Sequence, residues 1–198
     1  MSTPYRVMTV CTGNICRSPM AELMLAHAFA EAGMANDVVV DSAGTTDWES
    51  GRPIDERAAA KLTELGIESH LHRARRFETA WYRERDLILA LDLDHYRELR
   101  SEAPDDASRD RIHLLREFDP STTDTDLEDL GIYDPWYGDS SDFEATWGMV
   151  DGAVEGFAAR TRRLGELARR PQTGQLHQYY IQSIVVLAVG VLLLVTVR

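Results

Sequence analysis

The segment from Cys11 to Ser18, Cys-Thr-Gly-Asn-Ile-Cys-Arg-Ser, constrains the fold of this chain more than any other part of it. The run before it, Tyr5 to Val10, is short, apolar and rich in β-branched side chains, which is typical of a buried strand. After it, Ser18 and the following proline suit an N-cap and the first position of a helix. We expect that helix to run from Met20 to Ala32. The sequence therefore predicts a strand, a tight loop and a helix, with Cys11 at the strand end.

A loop of this kind favours the binding of an anion, most obviously a phosphate. Its backbone N–H groups point towards one place, and the positive end of the following helix adds to their field. The same field favours the thiolate form of Cys11 over a packed, neutral thiol. Arg17 can hold two phosphate oxygens at once, and Ser18 can donate a hydrogen bond to the sulfur. These groups together predict the transfer of a phosphoryl group to sulfur.

A second signal lies far along the chain, in the segment from Tyr133 to Tyr137, Tyr-Asp-Pro-Trp-Tyr. A leaving oxyanion needs a proton donor. Asp134 is a candidate for that donor because Pro135 restricts the turn that carries it.

The sequence resembles the low-molecular-weight protein tyrosine phosphatases over residues 5 to 169. Residues 10 to 22 are similar to the phosphate loop and following helix of that family. Asp-Ser-Ala-Gly-Thr at residues 41 to 45 is similar to its second-strand turn, and Trp48 stands where the family has a pocket aromatic. Further matches follow in the expected order at residues 72 to 75, 89 to 92 and 134 to 137.

The resemblance implies a role for each matched residue. Cys11 would attack phosphorus and become a phosphocysteine, Arg17 would stabilise the transferring group, and Asp134 would act as general acid and then as general base. No metal and no cofactor is implied. The remaining residues would bind the substrate or support the loop: Thr12, Gly13, Asn14, Ile15, Cys16, Ser18, Ser42, Trp48, Trp136 and Tyr137.

Ile15 and three aromatic residues favour phosphotyrosine as the substrate. Phosphoarginine-specific relatives carry a threonine at the position of Ile15, whereas tyrosine phosphatases usually carry an aliphatic side chain. Trp48, Trp136 and Tyr137 could form the walls of a deep slot for a phenyl ring, and core packing is the alternative interpretation of each. A deep slot would select against the shorter phosphoserine.

Other functions remain open on the same residues. Arsenate reduction coupled to a small-molecule thiol needs one catalytic cysteine, which Cys11 could supply. A relay of disulfides would need cysteines beyond Cys11 and Cys16. Phosphoarginine hydrolysis is a further alternative, whereas a phosphotyrosine-binding module is disfavoured because the loop and Asp134 are intact. Cys16 could be a packed thiol, a poor half-site for a metal or, as the resemblance favours, a partner of Cys11 in a reversible disulfide.

The rest of the chain predicts an α/β fold with a four-stranded parallel sheet and helices on both faces. The net charge of −12 at pH 7 argues against nucleic acid as a partner. We expect the acidic stretch between Arg116 and Arg160, which has no Lys or Arg, to form a long loop over the active site. Further strands are predicted at residues 38–40, 86–91 and 112–115, and further helices at 55–65, 94–101 and 143–168.

The carboxy-terminal segment departs from the family. We expect a catalytic domain at residues 1–170, a linker at 171–178 and a transmembrane tail at 179–198, since about 19 residues as a helix approach the thickness of a bilayer core. Arginines before the tail would keep the domain on the cytoplasmic side, beside a membrane-associated tyrosine kinase as substrate or partner. A helix that docks on another protein and a non-native extension are the alternatives. The absence of a visible signal peptide agrees with a cytoplasmic domain.

Overall fold

Four parallel strands form the centre of the part of the chain that the computed structural model describes, residues 3–122 and 125–169. The strands lie in the order β2-β1-β3-β4, and all three neighbouring pairs are parallel. This confirms the predicted sheet. The strands are β1 (Tyr5–Cys11), β2 (Val38–Gly44), β3 (Leu87–Ala90) and β4 (Ile112–Leu114).

The strand predicted at residues 38–40 continues to Gly44, because every residue of β2 has a partner on β1 up to the pair of Cys11 and Gly44. The predicted helices at 55–65, 94–101 and 143–168 are present with small changes of their ends, and two short helices, α3 and α5, were not predicted. Within the described residues the helices are α1 (Arg17–Glu31), α2 (Glu56–Glu64), α3 (Trp81–Glu84), α4 (Leu93–Glu102), α5 (Asp106–Arg109) and α6 (Ser140–Arg169).

Helix α1 begins earlier than predicted, and Ser18 is not its N-cap. Cys16 occupies the N-cap position without a capping side-chain hydrogen bond. Pro19 is tolerated inside the first turn because the N–H groups of that turn have no partner within the helix. The hydroxyl of Ser18 is therefore free to face the loop instead of the helix end.

Both faces of the sheet are covered by apolar side chains, as the alternation of a strand requires. Val7 and Leu89 face a core shared with α1, α2 and the first part of α6. Met8 and Ile88, one position along, face a second core shared with α3 and α4. Burial on both faces explains why β3, Leu-Ile-Leu-Ala, is a continuous apolar run.

The prediction of one long loop between Arg116 and Arg160 is wrong in its extent. Among the residues of this stretch that the structure describes, three short 3-10 turns follow the one at Leu115–Phe118 before α6 starts at Ser140. They are Pro120–Thr122, Leu127–Asp129 and Pro135–Tyr137. Asp139 caps that helix, since its Oδ1 accepts hydrogen bonds from Ser141 N at 2.7 Å and Asp142 N at 3.3 Å. Buried residues at helical spacing, from Phe143 to Phe157, attach α6 to the core.

The sheet order places a crevice at the end of β1. The chain leaves the end of β1 towards β2 on one side of the sheet, and it leaves the end of β3 towards β4 on the other side. The two loops therefore diverge between the ends of β1 and β3. Ligands of open parallel sheets bind in such a crevice, at the carboxyl ends of the strands. Cys11 ends β1, and Asp92 follows shortly after β3.

The predicted linker at 171–178 and tail at 179–198 lie outside the described residues. Among the helices that are described, none combines the length and apolar character that crossing a bilayer requires. The chain divides into two units after Ala159, and the site described below belongs to the first.

Candidate active site

Asn14 fixes the shape of the loop between β1 and α1. Its φ is +57°, a left-handed conformation that asparagine tolerates better than most residues. The side chain is fully buried, and its Nδ2 donates to Ser18 Oγ at 2.9 Å and to Ser42 Oγ at 2.7 Å. Its Oδ1 accepts from Arg75 N at 3.0 Å. The loop is therefore held by neighbouring elements on several sides.

Cys11 lies at the bottom of this loop, 3% exposed. Its Sγ is 2.9 Å from Ser18 Oγ, which also lies 3.3 Å from the carbonyl oxygen of Ala43. Because Asn14 donates to Ser18 Oγ, the Ser18 proton is available to the sulfur or to that carbonyl. The hydroxyl can thus stabilise negative charge on the sulfur.

A buried acid and a buried imidazole support the loop from behind. Ser42 Oγ donates to Glu22 Oε2, and burial raises the pKa of Glu22 although that hydrogen bond opposes the rise. His72 Nε2 donates to the Asn14 carbonyl oxygen at 2.8 Å, and burial lowers the pKa of His72. His72 begins the segment 72 to 75 that matches the family, whereas Glu22 was not singled out from the sequence.

The position of Gly44 shows why the Asp-Ser-Ala-Gly-Thr segment at residues 41 to 45 contains a glycine. A Cβ at this position would lie 2.5 Å from the carbonyl oxygen of Thr12 and 3.2 Å from Asn14 N. A side chain would collide with the backbone of the loop between Cys11 and Arg17, here called the phosphate loop after the family that the sequence resembles. The end of β2 and this loop can therefore approach each other only at a glycine.

Arg17 is buried, 3% exposed, and oriented by carboxylates and a carbonyl. Its Nη1 donates to Asp92 Oδ2 at 2.7 Å and to the Ile132 carbonyl oxygen at 3.0 Å. Its Nη2 donates to Asp134 Oδ2 at 2.5 Å. Burial opposes the charge, but Cys11, Asp134 and Asp92 outweigh it and raise the pKa of Arg17. The guanidinium is thus charged and fixed in direction.

Asp92 is the partner that anchors Arg17. Burial alone would disfavour its charge, but contacts with His95 and the charge of Arg17 hold the pKa of Asp92 far below its usual range. In the sequence, Asp92 ends the segment 89 to 92 that matches the family. The ion pair with Arg17 shows that Asp92 orients a neighbouring side chain.

Asp134 stands at the opening of the loop. It caps the turn Pro135–Tyr137, because its Oδ1 accepts from Trp136 N at 3.1 Å. Its side chain is 46% exposed. The carboxyl group of Asp134 thus contacts Arg17 on one side and is open to solvent on the other.

These groups surround one cavity of about 360 Å³. Trp48 and Trp136 are 78% and 44% exposed, so core packing is not their role. Asn14, Ser18 and Ser42 lie behind the loop wall, and the side chain of Tyr137 is outside the described part of the structure. The cavity is lined by Cys11, Thr12, Gly13, Ile15, Cys16, Arg17, Trp48, Glu49, Asp134 and Trp136.

Glu49 is a lining residue that the sequence did not single out. Its side chain rests on the phosphate loop, since a Cβ on Gly13 would lie 3.1 Å from Glu49 Cγ. Arg52 Nη1 pairs with Glu49 Oε2 at 2.5 Å. Its position next to Trp48 in the sequence could have indicated that Glu49 lies at the cavity.

Cys16 lies in the wall of the cavity as a buried thiol. Burial, with smaller contributions from Asp55 and Cys11, raises the pKa of Cys16. Cys11 and Cys16 are both free thiols, and a reversible disulfide between them stays a prediction.

Comparison with known proteins agrees with this geometry. The family model described as "Low molecular weight phosphotyrosine protein phosphatase" matches residues 6–168. A low molecular weight protein-tyrosine-phosphatase of Streptomyces coelicolor is 42% identical over 158 residues, which are 80% of this chain and 94% of the relative. Low molecular weight protein-tyrosine phosphatase A of Mycobacterium bovis is 43% identical over 79% of this chain and 91% of the relative.

A solved structure extends the likeness to the fold. YfkJ from Bacillus subtilis superposes with a TM-score of 0.73 at 30% sequence identity, over 82% of this chain and 97% of that one. The resemblance stated from the sequence is confirmed: the chain belongs to the low molecular weight phosphotyrosine protein phosphatase family.

Proposed function

We propose that this protein hydrolyses phosphotyrosine in other proteins through a phosphocysteine intermediate on Cys11. The observation that carries the proposal is that Cys11, Arg17 and Asp134 line the same cavity. A nucleophile, an anion clamp and a proton donor are the groups that this reaction requires. Family membership supports the same assignment.

When the substrate binds, its phosphate would replace one of the groups that Arg17 contacts. Asp92 and the Ile132 carbonyl hold Nη1, whereas Asp134 holds Nη2. A phosphate that binds Nη2 takes the place of Asp134 and releases its carboxyl group beside the leaving oxygen. The clamp keeps its direction because its other anchors stay in place.

In the first chemical step, the sulfur of Cys11 forms a bond to phosphorus while the bond from phosphorus to the tyrosine oxygen breaks. Asp134, protonated, gives its proton to that oxygen, so the tyrosine leaves as a neutral phenol. In the second step, the Asp134 carboxylate takes a proton from water. The water oxygen bonds to phosphorus as the S–P bond breaks, which releases inorganic phosphate and restores the Cys11 thiolate.

The walls of the cavity favour an aromatic phosphate ester. Ile15 offers an aliphatic surface, and Trp48 and Trp136 offer rings against which a phenyl ring can pack. Phosphoarginine hydrolysis and thiol-coupled arsenate reduction would use the same cysteine and clamp, so the substrate has to be tested directly.

The test is phosphate release by the full chain from matched peptides that carry phosphotyrosine, phosphoserine or phosphoarginine. We expect kcat/KM to be at least about tenfold higher for phosphotyrosine and release to vanish in Cys11→Ser. Faster release from phosphoarginine would reassign the substrate. Thiol-dependent reduction of arsenate without phosphate release would replace the reaction itself.

For the part of the chain beyond the described residues, we propose that residues 179–198 anchor the domain to the cytoplasmic membrane near a membrane-associated tyrosine kinase. The support is the apolar character of the segment and the arginines before it. Fractionation of cells without detergent should recover the full chain with membranes and a chain ending at residue 170 in the soluble fraction. Recovery of the full chain in the soluble fraction would contradict the anchor.

A further inference from the structure

We infer that His95 is a positioning residue for the phosphate loop, because it connects the first residue of that loop to the anchor of the arginine clamp. The inference rests on the proposed function in one respect: it takes the loop and Arg17 as the phosphate-binding groups.

His95 lies in the first turn of α4 and is 3% exposed. Its Nε2 is 2.8 Å from Thr12 Oγ1, a contact between residues that lie far apart in the sequence. Thr12 is a lining residue of the cavity and directly follows Cys11. The imidazole therefore reaches the phosphate loop at its start.

The backbone of the same histidine is held by Asp92. Asp92 Oδ1, at the N-cap of α4, accepts from His95 N at 2.9 Å. His95 Nδ1 lies 2.8 Å from Asp92 Oδ1, but at an angle that does not make a hydrogen bond, so Nδ1 is a buried atom without such a partner. The contact is electrostatic, and the carboxylate favours a proton on Nδ1.

A proton on Nδ1 leaves Nε2 as an acceptor, so the Thr12 hydroxyl donates to His95. Thr12 is held on its other side as well, since its carbonyl oxygen accepts from Thr46 N and Thr46 Oγ1, each at 3.1 Å. The side chain of Thr12 is therefore held at its hydroxyl, and its backbone is held at its carbonyl oxygen.

Asp92 closes the connection at the other end of the loop. Its Oδ2 accepts from Arg17 Nη1 at 2.7 Å. Thr12, His95, Asp92 and Arg17 thus form one chain of contacts that spans both ends of the phosphate loop through a single helix start. Loss of the imidazole removes the hydrogen bond to Thr12 and also removes a side chain that packs against Asp92. Both Thr12 and Arg17, at the two ends of the phosphate loop, are then held less firmly. We expect weaker binding of phosphate, with the proton transfer from Asp134 unaffected.

The test compares His95→Leu with Tyr82→Phe in the full chain. Tyr82 is a matched control, because its buried hydroxyl donates to the carbonyl oxygen of Leu99, on the helix that carries His95, at 2.9 Å. Tyr82 is not among the residues that line the cavity. The readouts are kcat/KM for a phosphotyrosine peptide, the inhibition constant of inorganic phosphate, and Tm.

We expect His95→Leu to lower kcat/KM about tenfold and to weaken phosphate inhibition by the same factor. Tyr82→Phe should lower Tm and leave both quantities unchanged. Thr12→Val should lower kcat/KM and weaken phosphate inhibition as much as His95→Leu does. The double variant should be no worse than either single variant. His95→Gln keeps an amide near the position of Nε2 and should recover part of both quantities.

Unchanged phosphate inhibition in a folded His95→Leu protein would overturn the inference, as would additive effects of the Thr12 and His95 substitutions. If His95→Leu fails to fold, Thr12→Val and His95→Gln carry the same comparison. A wild-type protein that binds phosphate but releases none from phosphotyrosine would contradict the proposed function and leave the binding test of His95 intact.

Discussion

The phosphate loop and the segment that carries Asp134 differ in how the fold holds them. The loop lies between β1 and α1, and Asn14, Arg17 and Ser18 are buried in a network of hydrogen bonds. Residues 125–139 contain only short turns, and Asp134 and Trp136 face solvent. The loop that we propose binds the phosphate is thus held by the sheet and by α1, whereas the proposed proton donor stands on a segment of short turns that faces solvent.

Arg17 joins the two regions, since it pairs with Asp134 and donates to the Ile132 carbonyl oxygen at 3.0 Å. Arg57 of α2 also contacts the segment that carries Asp134, since its Nη1 donates to the Pro135 carbonyl oxygen at 3.3 Å. If the two regions have these different roles, substitutions in the phosphate loop should weaken phosphate binding and turnover together. Substitutions in the Asp134 segment should change turnover alone.

The largest effect is expected for Asp134→Asn, which should lower kcat/KM for a phosphotyrosine peptide about 10²–10⁴-fold. The reason is the loss of the proton donor, so an aryl phosphate with a more acidic leaving group should lose much less. Phosphate inhibition should persist. A loss equal for both substrates would remove Asp134 from the role of general acid.

Arg17→Lys should lower kcat/KM about 10²–10³-fold and weaken phosphate inhibition as well. Lysine cannot contact Asp92 and a phosphate through one planar fork. The variant should be compared with Asp134→Asn in the same phosphate-inhibition assay. Retention of wild-type phosphate affinity would break the distinction between the two regions.

Arg57→Met should reduce kcat/KM for phosphotyrosine about threefold to tenfold, because Arg57 ties the Pro135 turn to α2 through Asp55 and also stacks on Phe143. Phosphate affinity should not change. Lys61→Met is the control, since Lys61 lies on the same helix and pairs with Glu144 instead. A similar loss in both variants would point to α2 as a whole.

The smallest effect is a pH dependence of stability from His72, whose pKa burial lowers. The unfolded chain then binds a proton more readily than the folded one, so the free energy of unfolding should fall as pH drops below about 6.5. His72→Gln should make that slope shallower, as measured by denaturant unfolding between pH 7.5 and 5.5. An unchanged slope would exclude His72 as its source.

The sequence predicted the regions unequally, for physical reasons. The strand before Cys11 and the helix after it follow from local periodicity and composition, and they bring Cys11 and Arg17 to the same cavity. The contact of Ser18 with the Cys11 sulfur was predicted, but its place inside the first turn was not, because the helix starts earlier than predicted, with Cys16 as its N-cap. Asp134 was found because proline and aromatic residues mark its turn.

Glu22, Glu49 and the connection from Thr12 to His95 were not predicted. Each depends on contacts between segments that only the folded sheet brings together, such as the meeting of α4 with the loop after β1. Neither periodicity nor spacing reports such contacts. The helix α6 was predicted nearly at its observed length, because its apolar residues recur at helical spacing.

The most direct test of the central claim is to look for the covalent intermediate. The full chain is mixed with a phosphotyrosine peptide, quenched in acid within milliseconds and analysed by mass spectrometry after proteolysis. We expect one phosphoryl group on the peptide that contains Cys11, and none in Cys11→Ser. Turnover by the wild-type chain with the phosphoryl group on another residue, or with no phosphoenzyme on Cys11 at any quench time, would contradict the account.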